Sequence, residues 1–145
     1  MVDVITRIEI AAPLAVVASY AADPGNAPEW YQNIHSAEWK TQKPLQSGSQ
    51  IAFVAYFLGK RLEYIYEITE FQPMEKLVMQ TKEGPFPMMT TYQWRALAEN
   101  RTEMILRNTG SPVGFSRMMA PLMSFMMKRA NKKDLRKIKA LLEQN

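Results

Sequence analysis

An α+β fold is expected for this chain: an antiparallel sheet of six to seven strands packed on one long C-terminal helix, with two short helices between strands one and two. Three observations predict it. Apolar and polar residues alternate with a period of two in run after run between Val2 and Asn108, the signature of strands with one buried face. Helical spacing is confined to the stretch from Leu14 to Tyr31 and to the tail that follows Ser111-Pro112. The runs in between are joined by connections too short for anything but antiparallel neighbours.

Val2, Val4, Thr6, Ile8 and Ile10 alternate with Asp3, Arg7 and Glu9 and make the first strand. Ala12-Pro13 ends it, because proline removes a ladder donor and suits the first turn of a helix; Leu14 to Ala22 then reads as that helix. Asp23-Pro24-Gly25 stops it, and Asn26-Ala27-Pro28 starts a second short helix carrying Trp30 and Tyr31. Ser36 to Thr41 is a candidate strand, and Ser49 to Leu58 is a long aromatic and β-branched one. Gly59-Lys60 is read as a two-residue hairpin turn with glycine first. Arg61 to Phe71 follows, with Leu62, Tyr64, Tyr66 and Ile68 on the face opposite Glu63, Glu67 and Thr69. Pro73 marks a turn, Lys76 to Lys82 is a strand, and Gly84-Pro85-Phe86-Pro87 is a rigid loop. Met89 to Leu97 and Thr102 to Asn108 are the last strands, joined by a turn at Glu99-Asn100. Ser111-Pro112 supplies an N-cap and a first-turn proline for the terminal helix, and Pro121 within it predicts a kink or break near Arg117 to Ala120. Leu135, Ile138, Leu141 and Leu142 continue its apolar stripe.

Composition narrows the function. A chain of 145 residues suits one domain, residues 1–145, and no linker or repeat divides it. It contains no cysteine, which excludes disulfides and thiolate chemistry; with a single histidine, His35, a metal site is not expected, nor any cofactor. Asp3, Arg7 and Glu9 interrupt the apolar start, so no signal peptide is read and a cytoplasmic location is expected. The uncharged stretch Met118 to Met127 falls far short of the roughly 20 residues that span a bilayer. The net charge of +4 is local, since seven bases lie between Lys128 and Lys139 against Asp134 alone. They are read as the solvated face of the helix, with weak contact to an anionic membrane as the other reading; no nucleic-acid partner is expected.

Ile8-Glu9-Ile10-Ala11-Ala12-Pro13, Asp23-Pro24 with Pro28-Glu29-Trp30, Gly48-Ser49, and Tyr66 to Pro73 stand in an order and spacing that resembles the START-like (SRPBCC) superfamily. The likeness is to its polyketide cyclase/dehydrase and lipid-transport branch. Thr81 to Pro87, Trp94, Asp134-Leu135 and Leu141-Leu142-Glu143 extend it over nearly the whole chain. The resemblance implies the helix-grip fold, in which a curved sheet wraps the long helix around a mostly apolar cavity.

The residues themselves supply a matching wall. Inward candidates are Trp30, then Phe53, Ala55 and Phe57 or their opposite-parity neighbours, together with Tyr64, Tyr66, Met79, Tyr92, Trp94, Met104, Leu106, Phe115, Met119, Leu122, Met123 and Met126. Methionine adapts to irregular shapes, and phenols on an inward face can orient a ligand, in a pocket on the order of 300 to 1,000 Å³. No nucleophile elbow, P-loop or dinucleotide fingerprint is present, and His35 has no acid at a telling spacing. A carrier or sensor of a hydrophobic small molecule, such as a lipid, quinone or polyketide-like aromatic, is therefore expected. The alternative is a cyclase or dehydratase, for which the resemblance implies proton donors such as Tyr64, Tyr66, Tyr92, Arg95 and Arg107. A buried acid within reach of the ligand would favour that alternative.

Overall fold

The alternation that opens the chain forms strand β1 (Val2–Ile10), whose Val2, Val4, Thr6 and Ile10 are buried in a computed structural model describing residues 2–57, 59–84, 87–110 and 120–144. Pro13 leads into α1 (Leu14–Ala22), and Asp23 ends it by accepting a 2.9 Å hydrogen bond from the Gly25 N–H in the short 3-10 turn Pro24–Asn26. Helix α2 (Ala27–Trp30) follows directly, so Trp30 falls on its last turn and Tyr31 just beyond. The remaining strands are β2 (Ile34–Trp39), β3 (Gln50–Phe57), β4 (Lys60–Gln72), β5 (Lys76–Glu83), β6 (Met88–Ala98) and β7 (Arg101–Gly110), and the chain closes with α3 (Ala120–Glu143).

Every strand pairing is antiparallel, in the order β1-β7-β6-β5-β4-β3-β2, so a meander is completed by β1 returning beside β7. Register shifts interrupt β4 against β5 between Ile65 and Tyr66 and between Ile68 and Glu70. Bulges of this kind bend a strand and raise its twist, and the sheet curls around α3. This is the helix-grip arrangement the resemblance implied.

The odd parity of β3 faces inward, with Ile51 and Phe53 buried, and on β4 the inward set is the one expected. Phe57 pairs with Lys60, so the hairpin turn falls one residue earlier than Gly59-Lys60, with Gly59 at φ 76° as its second residue. Pairing decides this, and composition alone could not. β2 likewise begins two residues before the expected Ser36, because Ile34 pairs with Ala55 and Asn33 accepts from the Tyr56 N–H.

Pro121 is the second residue of α3 as described. The expected start at Ser111-Pro112 and the kink near Arg117 lie outside the described residues, apart from Ala120. α3 runs along β1 and touches α1 and α2. Its Leu135 and Ile138 are sealed in the main core with Ile10, Trp30, Met104 and Leu106; Leu141 and Leu142 pack at the edge of that core. Among the described residues no helix is long and apolar enough to cross a membrane.

Candidate functional site

Between the first half of α3 and the concave face of the sheet lies a cavity of about 160 Å³. Strand register explains its two ends. Val2, Gly110 and Met88 lie side by side across β1, β7 and β6, and Met123 packs on Val2 and Val4 at that level; with Met127 and Met88 it makes an apolar end. Further along, Tyr92, from β6, meets Tyr31, from the end of α2, and Asn131 and Asp134 reach the same wall from α3. This end is polar. Phe53, Ala55, Leu62 and Met79 form the apolar floor between them, with Tyr64 and Tyr66 beside it.

The polar end is tied together by named contacts. The Tyr31 and Tyr92 hydroxyls share a 2.5 Å hydrogen bond, and the Tyr31 ring stacks on Trp30 with centroids 4.0 Å apart. Asp134 Oδ1 accepts the Gln32 N–H at 2.9 Å, which clamps the end of α2 to the middle of α3. Burial pushes the Asp134 carboxyl up to about 6, with the bond from Gln32 acting the other way. Asp134 is 3% exposed, and a charge there helps raise both tyrosines, whose phenols burial already holds well above their ordinary range. Asn131 is 5% exposed, and its Nδ2 has no hydrogen-bond partner among the described residues. Nearby, Thr90 donates to Asn108 Oδ1 at 2.6 Å across β6 and β7. Burial raises Tyr66, against a hydrogen bond with Thr90, and pushes Tyr64 up to about 12. Gly84 backs the Tyr64 ring so closely that a β-carbon there would sit 2.5 Å from Cδ1, so a larger residue would displace that ring.

The structure brings Phe53, Tyr64, Tyr66, Met79, Tyr92 and Met123 of the candidate residues together around this space. Trp30, Trp94, Met104 and Leu106 do not line it; they are core residues beside it. Leu122 is 53% exposed, and Met126 is half-buried and off the cavity, where Met127 lines it instead. At about 100° per residue, Met126 and Leu122 lie about 70° and about 110° from the centre of the stripe through Met123, Met127, Ala130 and Asp134, on the side away from Asn131. The Phe57 side chain, Phe115 and Met119 lie outside the described residues. The volume is also smaller than the 300 to 1,000 Å³ expected.

Arg95 and Arg107 face away from the cavity, on exposed ion pairs with Glu103 and Asp3. His35 is exposed on β2 and packs edge-on against Tyr56. Sequence reasoning missed Asp134, Asn131, Tyr31 and the Thr90–Asn108 pair. For the first two a signal existed, since both occupy the apolar stripe that leads to Ile138, and a polar residue on such a stripe is informative.

A family model described as polyketide cyclase/dehydrase and lipid transport matches residues 1–143. No curated protein matches the chain. Among solved structures, TTHA0849 from Thermus thermophilus superposes with a TM-score of 0.83 at 19% identity, over 99% of both chains. A START superfamily protein from Mycobacterium smegmatis gives 0.85 at 14% identity, over 98% of this chain and 97% of its own. The Zhui aromatase/cyclase from Streptomyces sp. R1128 gives 0.80 at 15%, over 98% and 93%. The chain belongs to the polyketide cyclase/dehydrase and lipid-transport family, and it shares the fold of the START superfamily protein.

Proposed function

We propose that this member of the polyketide cyclase/dehydrase and lipid-transport family binds a hydrophobic small molecule of the lipid, quinone or polyketide-like aromatic kind in the cavity under α3. The observation that carries this reading is the cavity's make-up: apolar walls from Phe53, Leu62, Met79, Met123 and Met127, with the Tyr31, Tyr92, Asn131 and Asp134 polar groups at one end and the Thr90–Asn108 pair and Tyr66 hydroxyl toward the other. Ligand sites combine a broad apolar lining with a few placed polar groups in this way. The volume of about 160 Å³ suits one ring or a comparable part of a longer molecule, since an engineered cavity of roughly 150 Å³ takes up benzene. The test is native mass spectrometry of protein purified from cells, followed by extraction. A bound apolar molecule, or uptake of an added one, is expected; repeated preparations that hold nothing and take up nothing would overturn the reading.

Asp134 favours a second reading, a cyclase or dehydratase working in the same cavity. Such reactions remove a proton beside a carbonyl and protonate a departing hydroxyl, and a carboxyl titrating near 6 can do either. Tyr31 and Tyr92 stand next to it as neutral donors. Under this reading Asp134→Asn retains ligand binding and loses turnover; under the first it has no turnover to lose.

A further inference from the structure

We infer that the cavity selects an uncharged ligand carrying a hydrogen-bonding oxygen and rejects carboxylates, because its polar end is built from the Asp134 carboxyl, the Asn131 amide and the Tyr31–Tyr92 hydroxyl pair. The inference rests on the binding role proposed above and narrows the ligand class.

Three features of that end converge. Asn131 lines the cavity, and its amide Nδ2 is buried without a partner among the described residues, so a small turn of the amide toward the cavity would let a ligand oxygen satisfy it. The hydroxyl pair of Tyr31 and Tyr92 can donate one hydrogen outward while keeping its internal bond. Asp134 has acceptor capacity beyond its one bond from Gln32, and in its protonated form it also donates. A ligand hydroxyl or carbonyl finds complementary groups here whichever way its own dipole points.

A charged ligand fares worse. A carboxylate would be set against the Asp134 carboxyl, and among the described residues no Lys, Arg or His lines the cavity to offset it. An ammonium would meet an Asp134 carboxyl that is largely ionised near neutral pH, but both groups would lose their water on pairing inside a mostly apolar wall. Free fatty-acid anions are thus excluded from this end, whereas phenols, alcohols and ketones are admitted.

Four probes on one skeleton test this: ethylbenzene, 4-ethylphenol, 4-ethylbenzoate and 4-ethylbenzylammonium, titrated into the full chain near neutral pH and followed by amide shifts in protein NMR. The expected order puts 4-ethylphenol first, about tenfold or more tighter than 4-ethylbenzoate. Asn131→Leu should reduce the advantage of 4-ethylphenol over ethylbenzene without abolishing it, because Asp134 and the hydroxyl pair remain. Tightest binding by the carboxylate or the ammonium overturns the inference, as does equal binding of all four, and either leaves the binding role standing. If none of the four binds, the binding role falls and the inference falls with it. The wild-type series does not depend on the variant's folding.

Discussion

Along the carboxyl-terminal half of α3, Leu135 and Ile138 are closed against Ile10, Trp30 and Leu106, whereas along its amino-terminal half Met123, Met127, Ala130 and Asn131 border an open cavity. One helix meets one sheet in both places. Near Ile138, branched side chains on α3 interlock with an indole from α2 and with aliphatic residues of β1 and β7, and the gap closes. Near Met127 the helix offers unbranched, small or polar side chains to a floor of rings, and the gap stays open. Polar fastening differs in the same direction: Glu143 accepts from the Ala11 N–H at 2.7 Å and Lys139 donates to the Glu9 carbonyl at 2.8 Å, so the tail of α3 is fixed to the end of β1. The helix-grip scaffold provides the opportunity for a cavity, and residue choice along α3 decides where it is realised.

The contrast is sharpest under truncation. Ile138→Ala should cost about 2–5 kcal/mol in urea unfolding, because a fully buried branched residue leaves a void that its neighbours cannot fill. Met127→Ala should cost clearly less while changing ligand affinity, because its side chain already borders empty space. Equal costs at the two positions would erase the distinction between packed and open halves.

A smaller effect comes from the junction of the two halves, at Asp134. Its carboxyl titrates at about 6 when folded against an ordinary value of 3.8, so the folded state holds the proton more tightly. Its contribution to stability is therefore fully present below the unfolded value and is lost as the pH rises through about 6. About two units of difference correspond to roughly 3 kcal/mol. Asp134→Asn should then be more stable than the parent by about 1 kcal/mol near pH 4.5 and by up to about 3 kcal/mol near pH 8. Urea unfolding at the two pH values checks it, and a gap that fails to widen with pH would show that the carboxyl is not held in an apolar setting.

The smallest change should follow loosening of the tail. Glu143 pairs with Lys139 at 2.6 Å on a partly exposed surface, and Glu143→Gln should lower stability by less than about 1 kcal/mol. A larger loss would mean that fastening, and not the packing of Ile138, holds this half of α3 down.

Much of the fold was legible in the residues because period-two alternation reports a buried face directly. The inward faces of β1 and β4 follow from it, since each inward set lies within one element, and the boundaries of α1 follow from Pro13 and Asp23-Pro24. The hairpin at Gly59 was displaced by one residue because its register belongs to a pair of strands. Of the site, the aromatic and methionine floor was legible as apolar residues of one parity. The polar end was not, because Tyr31 and Tyr92 are 61 residues apart and meet only when α2 folds over β6.

By itself the sequence determined the antiparallel meander, the terminal helix and an inward wall of rings and thioethers, all of which arise from local periodicity and side-chain type. Only the tertiary structure decided that Met127 lines the cavity while Met126 does not, and that Asp134, one acid within a basic run, is buried beneath the Gln32 N–H at the cavity wall. The reason is physical: helical spacing says which residues share a face, but the azimuth of that face against a curved sheet is set by packing from distant parts of the chain.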